Sequence, residues 1–416
     1  MIYTLKQKGR WICISPRPEY HVYTFLQHHL QYKRTGYAVN PLWNIVNLYQ
    51  PKRQRFGIGL HKRVTKLFDE HGIEYVSELN KSPITDNLVL KDDGLREYQI
   101  EAIKELNAKR GGILSLPTGA GKTRTAIALI DVLELPTLIV VPTLDLKIQW
   151  EDRIKKKNVI ISTYQGLKRK SFIKQFKLVV FDECHIVAAK TLQLIGFNLS
   201  EDAVTIGLSA TPMMRDNDNM KIEAVLGNIV YAITLRELID LGYLVDATVH
   251  YHRIRPPEAN ANLDYAESYD LNIMNNSERN DLIADLASEA KGSVLILVDR
   301  IEHGEMLLQL LEGEDVRFIN GGSKDRTDLD YRIIIATSIF DMGVDIPRLQ
   351  TLILAGAGKS FIKVVQRMGR VLRTHKDKTK AIVHDFIDNS RYFYKHSMER
   401  KKIFEENFEV IDLDEQ

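Results

Sequence analysis

The chain has 416 residues, too many for one ordinary core, and its 44% hydrophobic and 27% charged residues exclude a largely disordered, collagen-like or coiled-coil protein. No uncharged stretch approaches the roughly 18 to 20 residues of a membrane span, and the first residues lack the apolar segment of a signal peptide. Two cysteines, Cys13 and Cys184, fit a reducing compartment. We therefore expect a cytoplasmic protein of two or three domains with no membrane partner.

The first 90 residues are basic, with 13 Lys and Arg against 6 Asp and Glu, whereas the remaining residues hold 44 against 49. The same segment contains many aromatic residues: Tyr20, Tyr23, Phe25, Tyr32, Tyr37, Trp43, Tyr49 and Phe56. Basic charge attracts phosphate backbones and aromatic side chains stack on bases, so the segment predicts nucleic-acid contact. The alternative is a small domain whose aromatic residues form its core. Turn-forming residues between Ser82 and Gly94 predict a boundary near residue 90.

A phosphate-binding loop is predicted after the short apolar run 112–116, because a helical pattern follows it. In this context backbone N–H groups and a helix amino terminus hold phosphate oxygens. Lys122 would reach the β- and γ-phosphates and Thr123 would ligate Mg²⁺. Leu116 stands where the strict pattern has glycine. The predicted nucleotide-contacting residues are Pro117, Thr118, Gly119, Ala120, Gly121, Lys122 and Thr123.

A second glycine-rich run, Gly356 to Ser360, also follows an apolar segment. It has Ile353 at the position of the first glycine, and a second nucleotide site would need its own acidic partner. We therefore predict a single nucleotide site.

The segment 177–185 supplies the acidic partner of the phosphate loop. Apolar residues lead into adjacent acids, Asp182 and Glu183, as in a buried parallel strand whose carboxyl end faces a ligand. Asp182 would hold Mg²⁺, and Glu183 would orient and polarise the attacking water. The alternative is a pair of solvated acids at a strand end.

Two further apolar runs, 137–143 and 203–208, predict strands of the same sheet. The second run leads into Ser209 and Thr211, whose hydroxyl groups would bond the catalytic acids and report the state of the γ-phosphate. A plain turn at a strand end is the alternative.

Taken in order, these motifs resemble those of superfamily 2 helicases of the DExH type. The series covers residues 91 to about 400 and consists of Arg96 to Gln99, PTGAGKT, VPTLDLKIQW, Thr163 to Gln165, DECH, GLSATP followed by Arg215, LILVDRIEHGEML, Ala336 to Pro347, and QRMGRVLR. Within the superfamily, the Arg-x-Tyr-Gln head and the GRVLR run resemble the XPB-like branch and its phage UvsW-type recombination helicases. DECH replaces the commoner DEAH, and we interpret Cys184 as a tolerated small residue.

The resemblance implies an α/β fold of two RecA-like parallel-sheet lobes, a P-loop NTPase, preceded by a small basic α+β domain that binds DNA. The domains would span residues 1–90, 91–248 and 249–416, with ATP and Mg²⁺ bound between the lobes. Arg96 and Gln99 would contact adenine. Three residues would couple the state of ATP to movement: His185, Ser209 and Thr211. Gly343 and Asp345 would link the second lobe to ATP and nucleic acid.

Gln366, Arg370 and Arg373 are spaced so that they share one face of a helix. Two guanidinium groups suit a γ-phosphate whose charge spreads in the transition state. The resemblance assigns these arginines to the second lobe and Lys122 to the first, so hydrolysis would require lobe closure. The alternative is a basic helix that contacts only DNA phosphates.

The resemblance implies an ATP-dependent DNA helicase or translocase that remodels or branch-migrates forks and four-way junctions in recombination, replication or repair. We expect a monomer, working in the host cytoplasm if a phage encodes it. Three alternatives stay open: an RNA helicase, a restriction-type duplex translocase, and a DNA-binding protein that uses ATP as a switch without turnover.

Replacing Arg370 with Ala should abolish ATP turnover yet leave ATP binding intact, because an arginine finger is worth roughly 10³ to 10⁵ in rate. Steady-state ATPase assays and nucleotide titration measure the two quantities. Lys376→Ala, which removes a cation just beyond the motif, is the control. Loss of ATP affinity alone would contradict the role.

Overall fold

The structure is a computed structural model that describes residues 1–33, 45–84, 88–90, 94–167, 172–185, 190–210, 219–256, 263–323, 329–337, 348–358, 368–369, 371–376 and 378–413. Contacts divide the chain into two compact units, Met1–Leu116 with Gly121–Ile233, and Pro117–Ala120 with Thr234–Gln416. Within the described ranges, no helix is long and apolar enough to cross a membrane.

The N-terminal domain is built on a mixed sheet in which buried and exposed residues alternate, as expected for strands with one face on the core. The sheet order is β5-β2-β1-β6, with β1 antiparallel to β2 and parallel to β6, and β3 pairs with β4 separately. Its elements are β1 (Tyr3–Lys8), β2 (Trp11–Ser15), α1 (Tyr20–His29), β3 (Gln31–Lys33), β4 (Ile45–Asn47), β5 (Arg55–Gly57), α2 (His61–Glu70) and β6 (Tyr75–Glu78).

The aromatic residues of this domain divide between core and surface. Tyr49 and Phe56 are buried in a cluster with the apolar residues of both helices, so they form the core and do not stack on bases. Tyr20 is 81% exposed. Tyr37 and Trp43 lie outside the described residues. The core interpretation therefore holds for Tyr49 and Phe56, and base stacking stays a prediction for the exposed Tyr20.

The N-terminal domain and the first lobe form one unit, joined largely through α7 (Asn219–Leu226). Arg63 makes a bidentate ion pair with Glu223, with Nε–Oε1 at 2.9 Å and Nη2–Oε2 at 2.5 Å. A Cβ on Gly59 would overlap the Glu223 carbonyl, so only glycine permits this approach. Trp11 stacks on Phe197 with ring centroids 4.2 Å apart. Packing and charge together hold the domain on the lobe.

The first lobe is a parallel sheet with helical crossovers, and its sheet order is β12-β7-β11-β10-β8-β9. Every residue of β8, β10 and β11 is buried, which explains why these strands read as unbroken apolar runs. Besides α7, its elements are α3 (Glu97–Lys109), β7 (Gly112–Ser115), α4 (Lys122–Leu133), β8 (Thr137–Val141), α5 (Leu144–Arg153), β9 (Val159–Thr163), β10 (Leu178–Asp182), α6 (Lys190–Phe197), β11 (Val204–Ser209) and β12 (Ile229–Ala232).

The second unit contains another wholly parallel sheet, in the order β15-β16-β14-β17-β18-β13-β19. Its helices and strands are α8 (Leu235–Asp240), β13 (Asp246–Ile254), α9 (Tyr265–Tyr269), a π-helical turn (Asp270–Met274), α10 (Ser277–Glu289), β14 (Ser293–Leu297), α11 (Ile301–Leu310), β15 (Val316–Ile319), β16 (Ile333–Ala336), β17 (Leu349–Ile353), β18 (Lys380–Asp388), α12 (Phe393–Glu405) and β19 (Glu409–Leu413). The predicted pair of parallel-sheet α/β lobes is confirmed.

The two predicted domain limits fall at different kinds of place in the fold. The limit near residue 90 falls between β6 and α3, inside the unit that holds both the N-terminal sheet and the first parallel sheet, so it stays a prediction. The limit after residue 248 falls inside β13, whose nine residues all belong to the second sheet. The change from one unit to the other lies earlier, between Ile233 and Thr234.

Buried histidines link two adjacent strands of the second sheet. His252 on β13 and His384 on β18 are hydrogen-bonded, Nε2 to Nδ1 at 2.9 Å, and both are buried. Burial and the neighbouring histidines lower the pKa of His252 to about 4 and that of His384 to about 3. Both rings are therefore neutral at pH 7, with one donating to the other.

Acid should weaken the second unit. Both folded-state pKa values lie below the ordinary value near 6.5, so the unfolded chain binds protons at a higher pH than the folded chain does. The free energy of unfolding is therefore greatest above pH 6.5 and decreases as the pH falls toward 4 and 3. The free energy of unfolding should fall by about 1 to 2 kcal/mol per histidine between pH 7.5 and 5. Calorimetry of His384→Asn should show a flatter pH dependence, whereas His21→Asn, at an exposed histidine of α1, should match the wild type. Equal slopes would contradict the assignment.

Candidate active site

Three adjacent strands bring the predicted catalytic residues to one edge of the first sheet. β11 lies between β7 and β10, and all three are parallel. The register pairs Ser209 with Ser115 at the end of β7, and Leu208 with Asp182 at the end of β10. Because the carboxyl ends of parallel strands share one edge, the start of α4, the acidic pair and Ser209 are neighbours.

The phosphate loop leads directly into α4. Lys122 is the first helical residue, and its Nζ donates to the carbonyl of Leu116 at 3.2 Å. Gly121 has φ +79°, and a Cβ there would lie 2.5 Å from Gln99 Nε2. Only glycine combines this backbone conformation with so close an approach. The turn therefore fits the requirement that backbone N–H groups face a ligand at the amino end of a helix.

Asp182 is buried, and two hydrogen bonds fix its carboxylate. Trp150 Nε1 donates to Oδ2 at 2.8 Å, and the amide of Glu183 donates to Oδ1 at 3.0 Å. Burial and then the charge of Glu183 raise the pKa of Asp182, whereas the indole N–H and Lys122 lower it. Trp150 and Lys122 thus favour the ionised form that a metal ligand requires.

Glu183 combines backbone strain with an unpaired buried acceptor. Its φ of +48° lies in the left-handed region, which costs a non-glycine residue about 1 to 3 kcal/mol. Among the described residues, nothing hydrogen-bonds to its buried Oε2. Strain and unsatisfied polar atoms concentrate at functional sites. The carboxylate is therefore placed to accept a hydrogen bond from a water molecule.

These residues fit a nucleotide with Mg²⁺. The glycine turn and Lys122 provide N–H groups and a cation for phosphates, Thr123 follows in α4, and the buried oxygens of Asp182 and Glu183 are the ligand type that Mg²⁺ prefers. Within the described part of the chain, no group of three or more His, Cys, Asp or Glu could hold a metal ion. A metal held through one or two carboxylates, water and phosphates agrees with this arrangement.

His185 lies between the acidic pair and Ser209. Its Nδ1 is 3.4 Å from Ser209 Oγ and 3.6 Å from Glu183 Oε2. Burial and Lys122 lower the pKa of His185, so the ring is neutral at pH 7 and offers one donor and one acceptor. This position suits a residue that reports the state of the carboxylate, and the predicted coupling role stays a prediction.

Cys184 is fully buried in the core of the first lobe. Burial raises the pKa of its thiol, so the sulfur stays protonated and unreactive. The side chain packs against other apolar residues of this core, which agrees with the interpretation of Cys184 as a tolerated small residue.

Arg96 and Gln99 lie at the start of α3. Gln99 Oε1 accepts the Arg96 amide at 3.0 Å, and Arg96 Nη1 donates to the Tyr98 hydroxyl at 3.0 Å. Gln99 is buried beside Gly121, so it supports both the helix start and the phosphate loop. Adenine contact by Arg96 and Gln99 stays a prediction.

Five predicted site residues lie outside the described ranges: Thr211, Gly343, Asp345, Gln366 and Arg370. Arg373 is described in the second unit, where it forms an isolated β-bridge with Leu244 and its carbonyl accepts Lys378 Nζ at 3.2 Å. The roles of all six stay predictions.

In the second glycine-rich run, the amide of Gly358 donates to Asp299 Oδ2 at 3.1 Å. Lys359 and Ser360 lie outside the described residues. The prediction of a single nucleotide site stays a prediction.

Sequence reasoning did not identify Trp150. An apolar residue on an amphipathic helix reads as core, and Trp150 is indeed buried. The available signal was topological: α5 follows β8, which neighbours β10, so α5 can reach the end of β10. A buried indole also needs an acceptor for its N–H group.

Replacing Trp150 with Phe should reduce kcat/KM for ATP about tenfold, because a hydrogen bond to a charged group contributes about 1.5 to 3 kcal/mol. The acid limb of the rate should move to higher pH, since the indole lowers the pKa of Asp182. pH–rate profiles measure both effects. Phe176→Leu, a change at another buried aromatic residue of this lobe, is the control. A slower variant with an unmoved acid limb would contradict the role.

Two family models match the chain in the order of its lobes. The model described as "Type III restriction enzyme, res subunit" matches residues 92–158 and 153–214. The model described as "Helicase conserved C-terminal domain" matches residues 275–375. The first match contains the phosphate loop, the acidic pair and Ser209.

Similar proteins span most of the chain. The DNA 3'-5' translocase XPB2 of Sulfurisphaera tokodaii is 27% identical over 408 residues, which is 82% of this chain and 92% of the relative. The ATP-dependent DNA helicase uvsW of Enterobacteria phage T4 is 28% identical over 360 residues, covering 75% and 72%. The structure of S. cerevisiae Dbp5 bound to RNA and ADP BeF3 has a TM-score of 0.54 at 15% identity, covering 76% and 89%. The last likeness concerns the fold alone.

Proposed function

We propose that this chain, which belongs to the superfamily 2 helicases and is an ATP-dependent enzyme, is a DNA motor that remodels or branch-migrates forks and four-way junctions. The observation that carries the hydrolytic part is the buried Oε2 of Glu183, which accepts no hydrogen bond from the described residues and lies beside Asp182 and Lys122. The DNA substrate is supported by the names of two relatives, a DNA translocase and a DNA helicase, which match three quarters or more of the chain.

Different residues of the first lobe would bind the phosphates, hold the metal ion and orient the attacking water. Lys122 and the glycine turn would bind the phosphates, and Thr123 and Asp182 would hold Mg²⁺. When bound, Mg²⁺ neutralises charge on the phosphates and orients them. Glu183 would orient the attacking water, because its free oxygen has no competing hydrogen bond among the described residues.

Sensing would use the residues that follow Glu183. His185 Nδ1 is within 3.6 Å of Glu183 Oε2 and 3.4 Å of Ser209 Oγ, so a change in the hydrogen bonding of Glu183 would be passed to the end of β11. Thr211 would extend this path. The predicted arginine residues, Arg370 and Arg373, would supply positive charge to the transition state.

The nucleic-acid dependence of the ATPase rate tests this proposal. Forked and four-way-junction DNA should stimulate the rate more than single strands, linear duplex or matched RNA, because the proposed work is done on branched DNA. Lys122→Ala should be inactive on every substrate, whereas Lys104→Ala, at an exposed lysine of α3, should match the wild type. Stimulation by RNA alone would identify an RNA helicase. No stimulation by any nucleic acid would leave an ATP-dependent switch.

Duplex translocation without strand separation is the second candidate, favoured by the restriction-enzyme model that matches the first lobe. Displacement of a triplex-forming strand from linear duplex, with no unwinding of a fork, would identify this activity. Fork unwinding or junction migration would favour the first proposal.

A further inference from the structure

A cavity of about 360 Å³ lies between the N-terminal domain and the first lobe, inside one compact unit. It is at the amino-terminal ends of β7 and β11, where Gly112 and Val204 line it. The acidic pair lies at the carboxyl-terminal edge of the same sheet. The cavity is therefore separate from the nucleotide site.

Arg10 is a buried cation without an anionic partner in the described structure. Its Nη1 donates to the carbonyl of Ala203 at 2.6 Å, and its Nη2 donates to Thr205 Oγ1 and the carbonyl of Val225, both at 3.0 Å. All three acceptors are neutral, and the buried Nε has no described partner. Burial lowers the pKa of Arg10 to about 10, so it is still charged at pH 7. A buried charge of this kind is costly unless an opposite charge lies nearby.

Further cations line the same cavity, and they come from both sides of the domain junction: Lys62, Lys81, Lys109 and Arg110. Partial burial and the charge of Lys109 lower the pKa of the largely exposed Lys62, whereas Glu105 raises it, so the two lysines are close enough to repel each other. The lining also includes two acids. Asp202 is already engaged by Lys177 and Ser200, each at 2.5 Å, which leaves Glu201 as the remaining acidic side chain.

We propose that this cavity binds a phosphate group, held by Lys62 and Lys109 and stabilised by the charge of Arg10. Three cations from two domains surround one space, and this positive charge favours an anionic phosphate over a neutral ligand. The group would come from a DNA backbone or from free phosphate, since the chemistry is the same. Binding would offset the repulsion between the lysines and join the N-terminal domain to the lobe. The inference does not depend on the proposed function.

Isothermal titration with inorganic phosphate tests the site. All proteins are full-length and carry Lys122→Ala, which weakens phosphate binding at the nucleotide loop. Adding Lys62→Gln and Lys109→Gln should raise the phosphate Kd about three- to tenfold, because each exposed charge contact contributes a fraction of a kcal/mol. Both lysines are exposed, so these changes should leave the fold intact. Lys66→Gln removes a lysine from the same helix, α2, outside the cavity, and should leave the Kd unchanged.

A second measurement identifies the source of the phosphate. If a DNA backbone occupies the cavity, the double variant should lose DNA affinity and inorganic phosphate should compete with DNA. If free phosphate is the ligand, DNA affinity should be the same in the double variant and in Lys66→Gln. An unchanged phosphate Kd in the double variant, or phosphate binding no tighter than chloride, would overturn the proposal and leave a solvent-filled gap. Because no ATPase rate enters these titrations, their outcome is independent of the motor hypothesis.

Discussion

Backbone hydrogen bonds on both sides of β11 are the constraint on which the first unit depends. One end of this strand carries Ser209, beside the acidic pair, and the other carries Thr205, which accepts a hydrogen bond from Arg10. All six residues of β11 are buried, so a slip of one residue would turn every side chain to the opposite face. A single strand thus links the edge that carries the predicted catalytic residues to the contact with the N-terminal domain.

Two ionised carboxylates so close together in a buried place are energetically unfavourable, and the groups around Asp182 and Glu183 offset this cost. Burial next to Glu183 favours the neutral form of Asp182, and Trp150 and Lys122 oppose this tendency. The left-handed backbone at Glu183 persists because β10 on one side and the buried Cys184 on the other fix the chain. The stability of the parallel core therefore maintains the strained backbone at Glu183 and a carboxylate oxygen that accepts no hydrogen bond from the described residues.

The features that depend on the type and spacing of neighbouring residues could be predicted from the sequence. The apolar runs of β8 and β10, the glycine turn before α4, and the acids at a strand end all follow from residue type and spacing. The three-residue strands β3, β4 and β5 have too few residues to show a period. Contacts such as Arg63 with Glu223, 160 positions apart, or Trp150 with Asp182 depend on strand order, which no local pattern encodes.

The docking of the N-terminal domain on α7 has a consequence for evolution and engineering. An exchange of residues 1–90 for a segment without a cation at position 63 would leave Glu223 without its partner, and a larger side chain at position 59 would collide with α7. The unit that must stay matched is therefore discontinuous: it consists of the first domain together with a helix that begins more than 120 residues downstream of it. We expect chimaeras that exchange both segments together to be more stable than those that exchange the first alone.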